Sequence, residues 1–304
     1  MLLRPALRLA APLALLAASA AAPLDAPLRA QAPDTVPMRE WPVPWKDSRP
    51  RDPVADAEGR VWFVGQAGNY VARLDPRTGQ FRRYEIDPGT HPHNVVVGPD
   101  GHAWYAGNRN AMIGRIDPES GTITRFPMPD SAARDPHTMI FAPDGDLWFT
   151  VQFGNQVGRL SPRSGQVRLV KMPTGQARPY GLVLDSKGRP WFDLFGTNQI
   201  GTIDPQTMRL RTYPLPNDRA RPRRIAGTSD DMVWYVDYTR GFLGRLDPRR
   251  RHRAPHDLRP PHRADLVRHG RRDDRAGERG ARGAADFVND TGISGIGYGA
   301  CLLA

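Results

Sequence analysis

Cysteine is almost absent from this chain. The 304 residues contain one, Cys301, so no internal disulfide can form. Stability must come from a packed core, and a chain of this length is long enough to bury one. No cysteine lies near the small residues at positions 18–22, so we expect no lipid anchor there.

Long apolar runs are also scarce. The run Leu9–Ala18 follows Arg4 and Arg8 and precedes small residues. This pattern indicates a secretory signal peptide over residues 1–22, too short for a comfortable membrane span. No later stretch is apolar enough to span, so we expect a periplasmic or secreted protein without a membrane span. Residues 23–38 are rich in Ala and Pro and are predicted to be a linker.

Acidic residues are outnumbered, 32 against 43 Lys and Arg. The stretch Arg249–Ala304 alone carries twelve Arg against seven acids. The other arginines are spread over the chain without an aromatic–basic stripe, so no nucleic-acid partner is expected.

Aromatic residues are few, but they recur at a fixed interval. A Trp followed by an aromatic residue returns every 42–44 residues: Trp62-Phe63, Trp104-Tyr105, Trp148-Phe149, Trp191-Phe192 and Trp234-Tyr235. In Pro136–Pro173, four short apolar runs are separated by turn residues, which is typical of a four-stranded antiparallel meander. Five such copies predict an all-β fold, a β-propeller of four-stranded blades, rather than a sandwich with coincidental spacing. The tryptophans are expected to pack between blades.

The predicted blades occupy residues 39–248. Full copies are expected at Asp52–Pro88, Pro92–Pro129, Pro136–Pro173 and Pro179–Pro216. The fifth, Pro222–Pro248, shows three strands and no fourth. The segment Arg39–Pro44 resembles a fourth strand, which predicts that it completes the last blade and closes the ring.

The chain changes character after Pro248. Residues 249–304 contain no Trp, no Lys and none of the blade markers, and the Trp expected near position 277 is missing. Two interpretations remain open: a genuine basic tail for an acidic partner, or the product of a reading-frame shift. The break falls inside a blade, which favours the frameshift and predicts a non-native or disordered tail.

A candidate site follows from the inner strands, which line the channel of a propeller. The chain enters these strands at Pro92-His93-Asn94, Pro136-His137-Thr138, Pro179-Tyr180-Gly181 and Pro222-Arg223-Arg224. Two imidazoles, a phenol and two guanidiniums should therefore converge at the channel mouth. Histidine is suited to proton transfer near neutral pH, although each His could also simply hydrogen-bond a neighbouring blade.

The repeat resembles that of the streptogramin (virginiamycin B) lyases. The matching motifs are the P-H-x5-P-D-G-x2-W-F-T pattern at Pro136–Thr150, the I-G-R-I-D pattern at Ile113–Asp117, and the closing strands that end at Pro129 and Pro216. The resemblance covers roughly Arg39–Pro248. It implies a seven-bladed, monomeric, Mg²⁺-dependent enzyme that opens a cyclic depsipeptide by elimination, with a His removing the proton and the metal acting as Lewis acid.

Carried over by motif, the resemblance implies His137 as general base and His93 as the residue that positions or polarises the substrate. Asp135 and Gln152 would be the metal ligands. Gln152 stands where the family has Glu, so Mg²⁺ affinity should be lower. Asn94, Tyr180 and Arg224 are the predicted substrate-binding residues, for a small-molecule or peptide ligand.

Two other functions remain open. The chain could be a non-catalytic propeller that binds a ligand or protein on one face. It could also be a lactonase-type hydrolase, which ranks third because that chemistry needs several carboxylates at the channel.

Overall fold

The structure, a computed structural model, describes residues 38–249 and the short strand at 267–268. The predicted signal peptide, nearly all of the linker, and the predicted tail beyond Arg249, apart from that strand, lie outside these residues. The described residues form β-strands and no helix, so the all-β prediction is confirmed and no helix could cross a membrane. Residues 38–41 belong to a separate compact unit, in which the Arg39 guanidinium lies 4.8 Å from the centroid of the Trp41 ring.

Short runs of branched and aromatic residues form the strands, and turn residues with positive φ separate them. Gly145 in the turn Pro143–Gly145 has φ of 87°, a conformation that suits glycine. Blade 1 contains β1 (Pro50–Ala55), β2 (Val61–Gly65), β3 (Tyr70–Asp75) and β4 (Gln80–Glu85). Blade 2 contains β5 (Val95–Val97), β6 (Ala103–Gly107), β7 (Met112–Ile116) and β8 (Ile123–Pro127). Blade 3 contains β9 (Pro136–Phe141), β10 (Leu147–Val151), β11 (Gln156–Leu160) and β12 (Val167–Lys171).

The remaining sheets follow the same order. Blade 4 contains β13 (Pro179–Leu184), β14 (Pro190–Leu194), β15 (Gln199–Ile203) and β16 (Leu210–Pro214). Blade 5 contains β17 (Pro222–Gly227), β18 (Val233–Asp237), β19 (Phe242–Leu246) and β20 (Val267–Arg268). Every sheet is an antiparallel meander of four sequential strands. The prediction of blade-like sheets is therefore confirmed.

Two details of the predicted ring closure are wrong. Residues 38–49 contain no strand, so Arg39–Pro44 does not supply one. Pro42 and Pro44 lack an N–H, which removes donors that a strand needs. Blade 5 has a fourth strand after all, because β20 pairs with β19 through Phe242↔Arg268 and Leu243↔Val267.

Tryptophan joins each blade to the next, as predicted. Trp62, Trp104, Trp148 and Trp191 are at most 1% exposed. Trp148 of blade 3, for example, packs with Leu182 and Phe192 of blade 4. Inner strands of consecutive blades also contact each other, which sets the five sheets side by side in chain order.

The aromatic residue after each Trp explains the glycine in the third strand. Phe149 pairs with Gly158 across β10 and β11, and a Cβ at Gly158 would lie 2.1 Å from Phe149 Cζ. The same close approach occurs at Gly114, Gly201 and Gly244. Glycine in blades 2 to 5 therefore leaves room for the ring on the neighbouring strand, whereas blade 1 has Ala72 at this position, opposite Phe63.

Candidate functional site

A proline twelve residues before each Trp sets the position of the candidate site. These prolines are Pro50, Pro92, Pro136, Pro179 and Pro222. Four of them begin an inner strand, and all four of these strands have an irregular register just after the proline. Such bulges redirect side chains and are frequent beside functional sites.

The two residues after each proline form one equivalent set. They are Arg51-Asp52, His93-Asn94, His137-Thr138, Tyr180-Gly181 and Arg223-Arg224. The sequence analysis missed Arg51-Asp52, because it began the first copy at Asp52. The constant spacing from Pro50 to Trp62 is the signal that identifies them. Asp52 has φ of 47°, a strained backbone that Asp tolerates better than most residues.

Three of the predicted residues meet directly. The imidazole rings of His93 and His137 lie 3.7 Å apart between centroids, tilted by 33°. The Tyr180 ring lies 4.5 Å from that of His137. His93 and His137 are 8% and 3% exposed. The inner strands of blades 2, 3 and 4 therefore bring two imidazoles and a phenol ring into one buried stack.

Hydrogen bonds hold the stack in place. His137 Nδ1 lies 3.0 Å from Thr138 Oγ1. Asn94 bridges three blades, because its Oδ1 accepts the Met139 N–H at 3.1 Å and its Nδ2 donates to Asp52 Oδ2 at 3.3 Å. The same Asp52 oxygen lies 3.6 Å from His93 Nδ1. This distance is too long for a hydrogen bond, and His93 Nδ1 is a buried nitrogen without a hydrogen-bond partner among the described residues.

Burial and positive neighbours keep both imidazoles neutral. Burial, together with Arg51 and Arg224, lowers the pKa of His137 to about 3. Burial likewise lowers the pKa of His93 well below its ordinary value, and His137 and Arg51 add to this. Burial raises the pKa of Asp52, against the opposing influence of Arg51.

Blade 5 contributes Arg224 to the candidate site. Its guanidinium carbon lies 5.0 Å from the centroid of the Tyr180 ring, and the residue is exposed. Arg51 and Asp52 are only half-buried. The charged residues of blades 1 and 5 are therefore more exposed than the imidazoles.

The predicted metal ligands lie elsewhere on blade 3 and have other partners. Asp135 accepts the backbone N–H groups of Phe153 and Gly154, at 2.7 Å to Oδ2 and 2.9 Å to Oδ1, and so closes the turn after β10. Burial raises the pKa of Asp135. Gln152 is half-buried in that turn.

The described residues do not fit a dedicated metal centre. Residues 38–249 contain no group of three or more His, Cys, Asp or Glu side chains placed to hold an ion. The position four residues after each Trp carries no carboxylate: it is Gln66, Asn108, Gln152, Phe195 and Tyr238. Mg²⁺ binding stays a prediction, and no chemical step below depends on it.

Asp193 is a buried acid that the sequence analysis did not single out. It is fully buried on β14, its Oδ1 accepts the Gly181 N–H at 3.1 Å, and its Oδ2 has no hydrogen-bond partner. Burial raises the pKa of Asp193 well above its ordinary value. Thr150 fills the equivalent place in blade 3 and accepts the Thr138 N–H. An acid inside the apolar run of β14 is the signal that could have found it.

The fold and the repeat define this chain as a β-propeller of the lyase-like kind. The virginiamycin B lyase family matches residues 30–265, and the chain belongs to that family. A streptogramin B lyase structure is 31% identical, with a TM-score of 0.60, and the match covers 65% of each chain. Virginiamycin B lyase from Staphylococcus aureus is 32% identical over 65% of this chain and 66% of that one, with a TM-score of 0.60.

A third similar structure contains a ligand. A catalytically inactive variant of the S. aureus lyase, solved with quinupristin, is 32% identical over 64% of each chain, with a TM-score of 0.58. The chain thus spans about 65% of the length of the lyase structures it matches. Curated proteins gave no significant match.

Proposed function

We propose that this protein is a lyase that opens an ester bond of a cyclic depsipeptide by elimination. One observation carries the proposal: two neutral imidazoles, those of His93 and His137, are stacked at 3.7 Å among cationic side chains. A neutral imidazole can accept a proton, and cations nearby stabilise the negative charge that develops as the proton leaves.

The proposed step moves one proton and breaks one bond. His137 takes the proton from the carbon α to the substrate carbonyl. The electron pair of that C–H bond forms a C=C bond, the neighbouring C–O bond breaks, and the oxygen leaves as a carboxylate. The His137 imidazolium then returns its proton to solvent. His93 positions the substrate, and Asn94, Tyr180 and Arg224 bind it.

A low pKa has two consequences for this chemistry. His137 is in its basic form at every pH above about 3, so the reaction should show no loss on its acidic side down to pH 5. The same shift makes the imidazole a weak base. The rate must therefore depend on Arg51 and Arg224, which stabilise the developing enolate and carboxylate.

Quinupristin and mass spectrometry provide the test. Elimination opens the ring without changing its mass, whereas a lactonase-type hydrolase adds the mass of one water. His137→Ala should reduce turnover by roughly 10²–10⁴-fold, the usual contribution of a general base. His102→Ala is the matched control, because His102 lies in a turn of blade 2 and pairs with Asp100. Unchanged turnover in His137→Ala would exclude the assignment.

A non-catalytic binding propeller is the second candidate. It is favoured because both oxygens of Asp135 are already used by backbone N–H groups and no carboxylate follows the tryptophans at the fourth position. Calorimetry separates the two functions. Saturable quinupristin binding with no ring opening, with or without Mg²⁺, would support the binder.

We also propose that the protein is exported and acts as a monomer. The apolar N-terminal run and its small-residue end support export. Sequencing the N-terminus of protein recovered from a periplasmic fraction tests this, and an intact Met1 in that fraction would contradict it.

A further inference from the structure

A second concave site lies between blades 4 and 5, outside the predicted set of residues. It is a cleft of about 600 Å³. Its walls include Arg178 before β13, Phe195 after β14, Arg221 before β17 and Tyr238 after β18. All four belong to the loops of one face, so the cleft is built from equivalent positions of two adjacent blades.

Two aromatic rings form the walls of this cleft. The Phe195 and Tyr238 rings are edge-to-face, with centroids 6.0 Å apart. Tyr238 is 61% exposed. The Arg223 guanidinium carbon lies 5.4 Å from the Phe195 centroid and 4.9 Å from that of Tyr238. An open aromatic surface beside a cation is suited to a flat ring.

Two further arginines give the cleft a positive charge. Within residues 38–249, neither Arg178 nor Arg221 forms an ion pair with a carboxylate. The Arg178 guanidinium donates to the neutral Gln176 Oε1, at 3.3 and 3.4 Å, and its carbon lies 5.6 Å from the centroid of the Phe153 ring. Arg221 Nη1 donates to the carbonyls of Ala220 and Asp218. Their charge is therefore available to an anion.

The nearby acid Asp237 does not cancel this charge. It is 2% exposed, accepts the backbone N–H groups of Arg221 and Arg240, and lies 3.7 Å from the Arg240 guanidinium. Its carboxylate is thus occupied by blade 5 itself.

The equivalent cleft between blades 2 and 3 has a different composition. It measures about 350 Å³ and is lined by Arg109, Arg134 and Phe153, together with the carboxylate of Asp135. The oxygens of Asp135 accept backbone N–H groups, as those of Asp237 do, so the two clefts differ in volume and in their aromatic walls, and the smaller one provides an internal control for where the ligand binds.

We propose that the cleft between blades 4 and 5 binds an anionic ligand that carries an aromatic ring, with an arylalkyl carboxylate as the simplest example. Guanidinium groups bind carboxylates through paired N–H donors, and aromatic walls add contact area for the ring. This inference does not depend on the proposed elimination, since neither arginine belongs to the imidazole site.

A pair of probes that differ only in charge tests the proposal. We expect the full chain to bind N-acetylphenylalanine roughly tenfold more tightly than its neutral amide, as measured by ligand-detected NMR titration. Arg178→Gln and Arg221→Gln should each weaken binding of the acid about five- to tenfold. Arg134→Gln, in the other cleft, should leave it unchanged.

Salt provides a measurement that needs no variant. Binding of the acid by the unaltered chain should weaken as NaCl is raised, while binding of the amide should not. The proposal fails if the acid does not bind, if the amide binds equally well, or if Arg134→Gln weakens binding as much as Arg178→Gln.

Discussion

Blades 3 and 5 have the same four-stranded plan but differ in how deeply equivalent residues are buried. In blade 3, Trp148 is fully buried and the residue after the inner proline is the buried His137. In blade 5, Trp234 is half-buried and the residue at the place of His137 is Arg223, half-buried against aromatic rings. The glycine opposite the second aromatic residue has the same surroundings in both blades, Gly158 against Phe149 and Gly244 against Tyr235.

This difference separates two kinds of position. Residues that repeat in every copy make the sheets and join them, so their chemistry is structural. Residues that change from blade to blade at the same backbone place carry the site. Within the described residues, no further blade packs on the outer flank of blade 5. Two of its apolar side chains, Val236 and Leu243, are accordingly 43% and 40% exposed.

The largest expected effect concerns the tryptophans. Trp148→Ala should lower the free energy of unfolding by about 3–5 kcal/mol, because it empties a fully packed site between blades 3 and 4. Trp234→Ala should cost about 1–2 kcal/mol, since part of its ring already faces solvent. Urea unfolding followed by near-UV circular dichroism measures both, and equal losses would contradict the comparison.

The next effect is a dependence on pH that the buried imidazole of blade 3 should contribute and blade 5 should not. The unfolded chain protonates His137 near pH 6.5 and the folded protein only near 3, so falling pH favours the unfolded state across this window. Protonation of His137 in the unfolded chain should therefore lower the free energy of unfolding by about 2 kcal/mol between pH 6.5 and 4.5.

Two variants separate the contribution of His137 to this pH dependence from the contributions of other titratable residues. His137→Gln should reduce the fall in stability over that range, with the buried His93 accounting for the remainder, whereas Arg223→Gln, at the equivalent place in blade 5, should leave the fall unchanged. Parallel stability curves for the unaltered chain and His137→Gln would show that the imidazole is not held neutral.

A smaller effect should be shared by both blades. Gly158→Ala and Gly244→Ala should each cost about 1–3 kcal/mol, because the added Cβ meets an aromatic ring that cannot move away. In both blades the predicted approach to the ring Cζ is 2.1 Å. Gly175→Ala is the control, since a Cβ there has nothing within 4 Å. Tolerance of alanine at either strand position would disprove the steric role.

The smallest expected effect on stability concerns one residue in the second strand of each blade, two positions after the Trp. Thr150 Oγ1 accepts the Thr138 N–H and donates to the Tyr180 carbonyl at 2.9 Å. Thr150→Val should therefore cost about 1 kcal/mol, because it keeps the shape and loses the hydrogen bonds. Val236→Thr, at the exposed equivalent place in blade 5, should change stability by less than about 0.5 kcal/mol. A thermal unfolding series measures the pair.

The repeat was enough to predict the sheets, since the Trp pairs and the turn residues recur in all five blades and the third-strand glycine recurs in four. The prediction of a strand from local sequence was wrong at Arg39–Pro44. The alternating prolines there resemble the end of a blade but lack the N–H donors of a strand. The prediction also missed Arg51-Asp52, because the first copy was predicted to begin at Asp52, two residues after its proline.

The composition of the site depends on contacts between blades, which sequence spacing does not contain. The motif could place His93 and His137 on equivalent strands, but not at stacking distance. The neutral state of both rings follows from their burial and from Arg51 and Arg224, which come from the first and fifth blades. Asp135 shows that a motif can also suggest a role that local contacts do not reveal. The motif predicts a metal ligand there, whereas in the structure both oxygens accept backbone N–H groups of a turn.

The prolines at the start of the inner strands have a consequence for assembly. The inner strand is the edge of each sheet, and in four of the five blades its first residue is a proline. A proline has no N–H with which to begin a ladder with an incoming strand. The proline therefore disfavours pairing of an inner strand with the inner strand of another blade or with a second chain. This protects the repetitive sequence against mispairing and domain exchange.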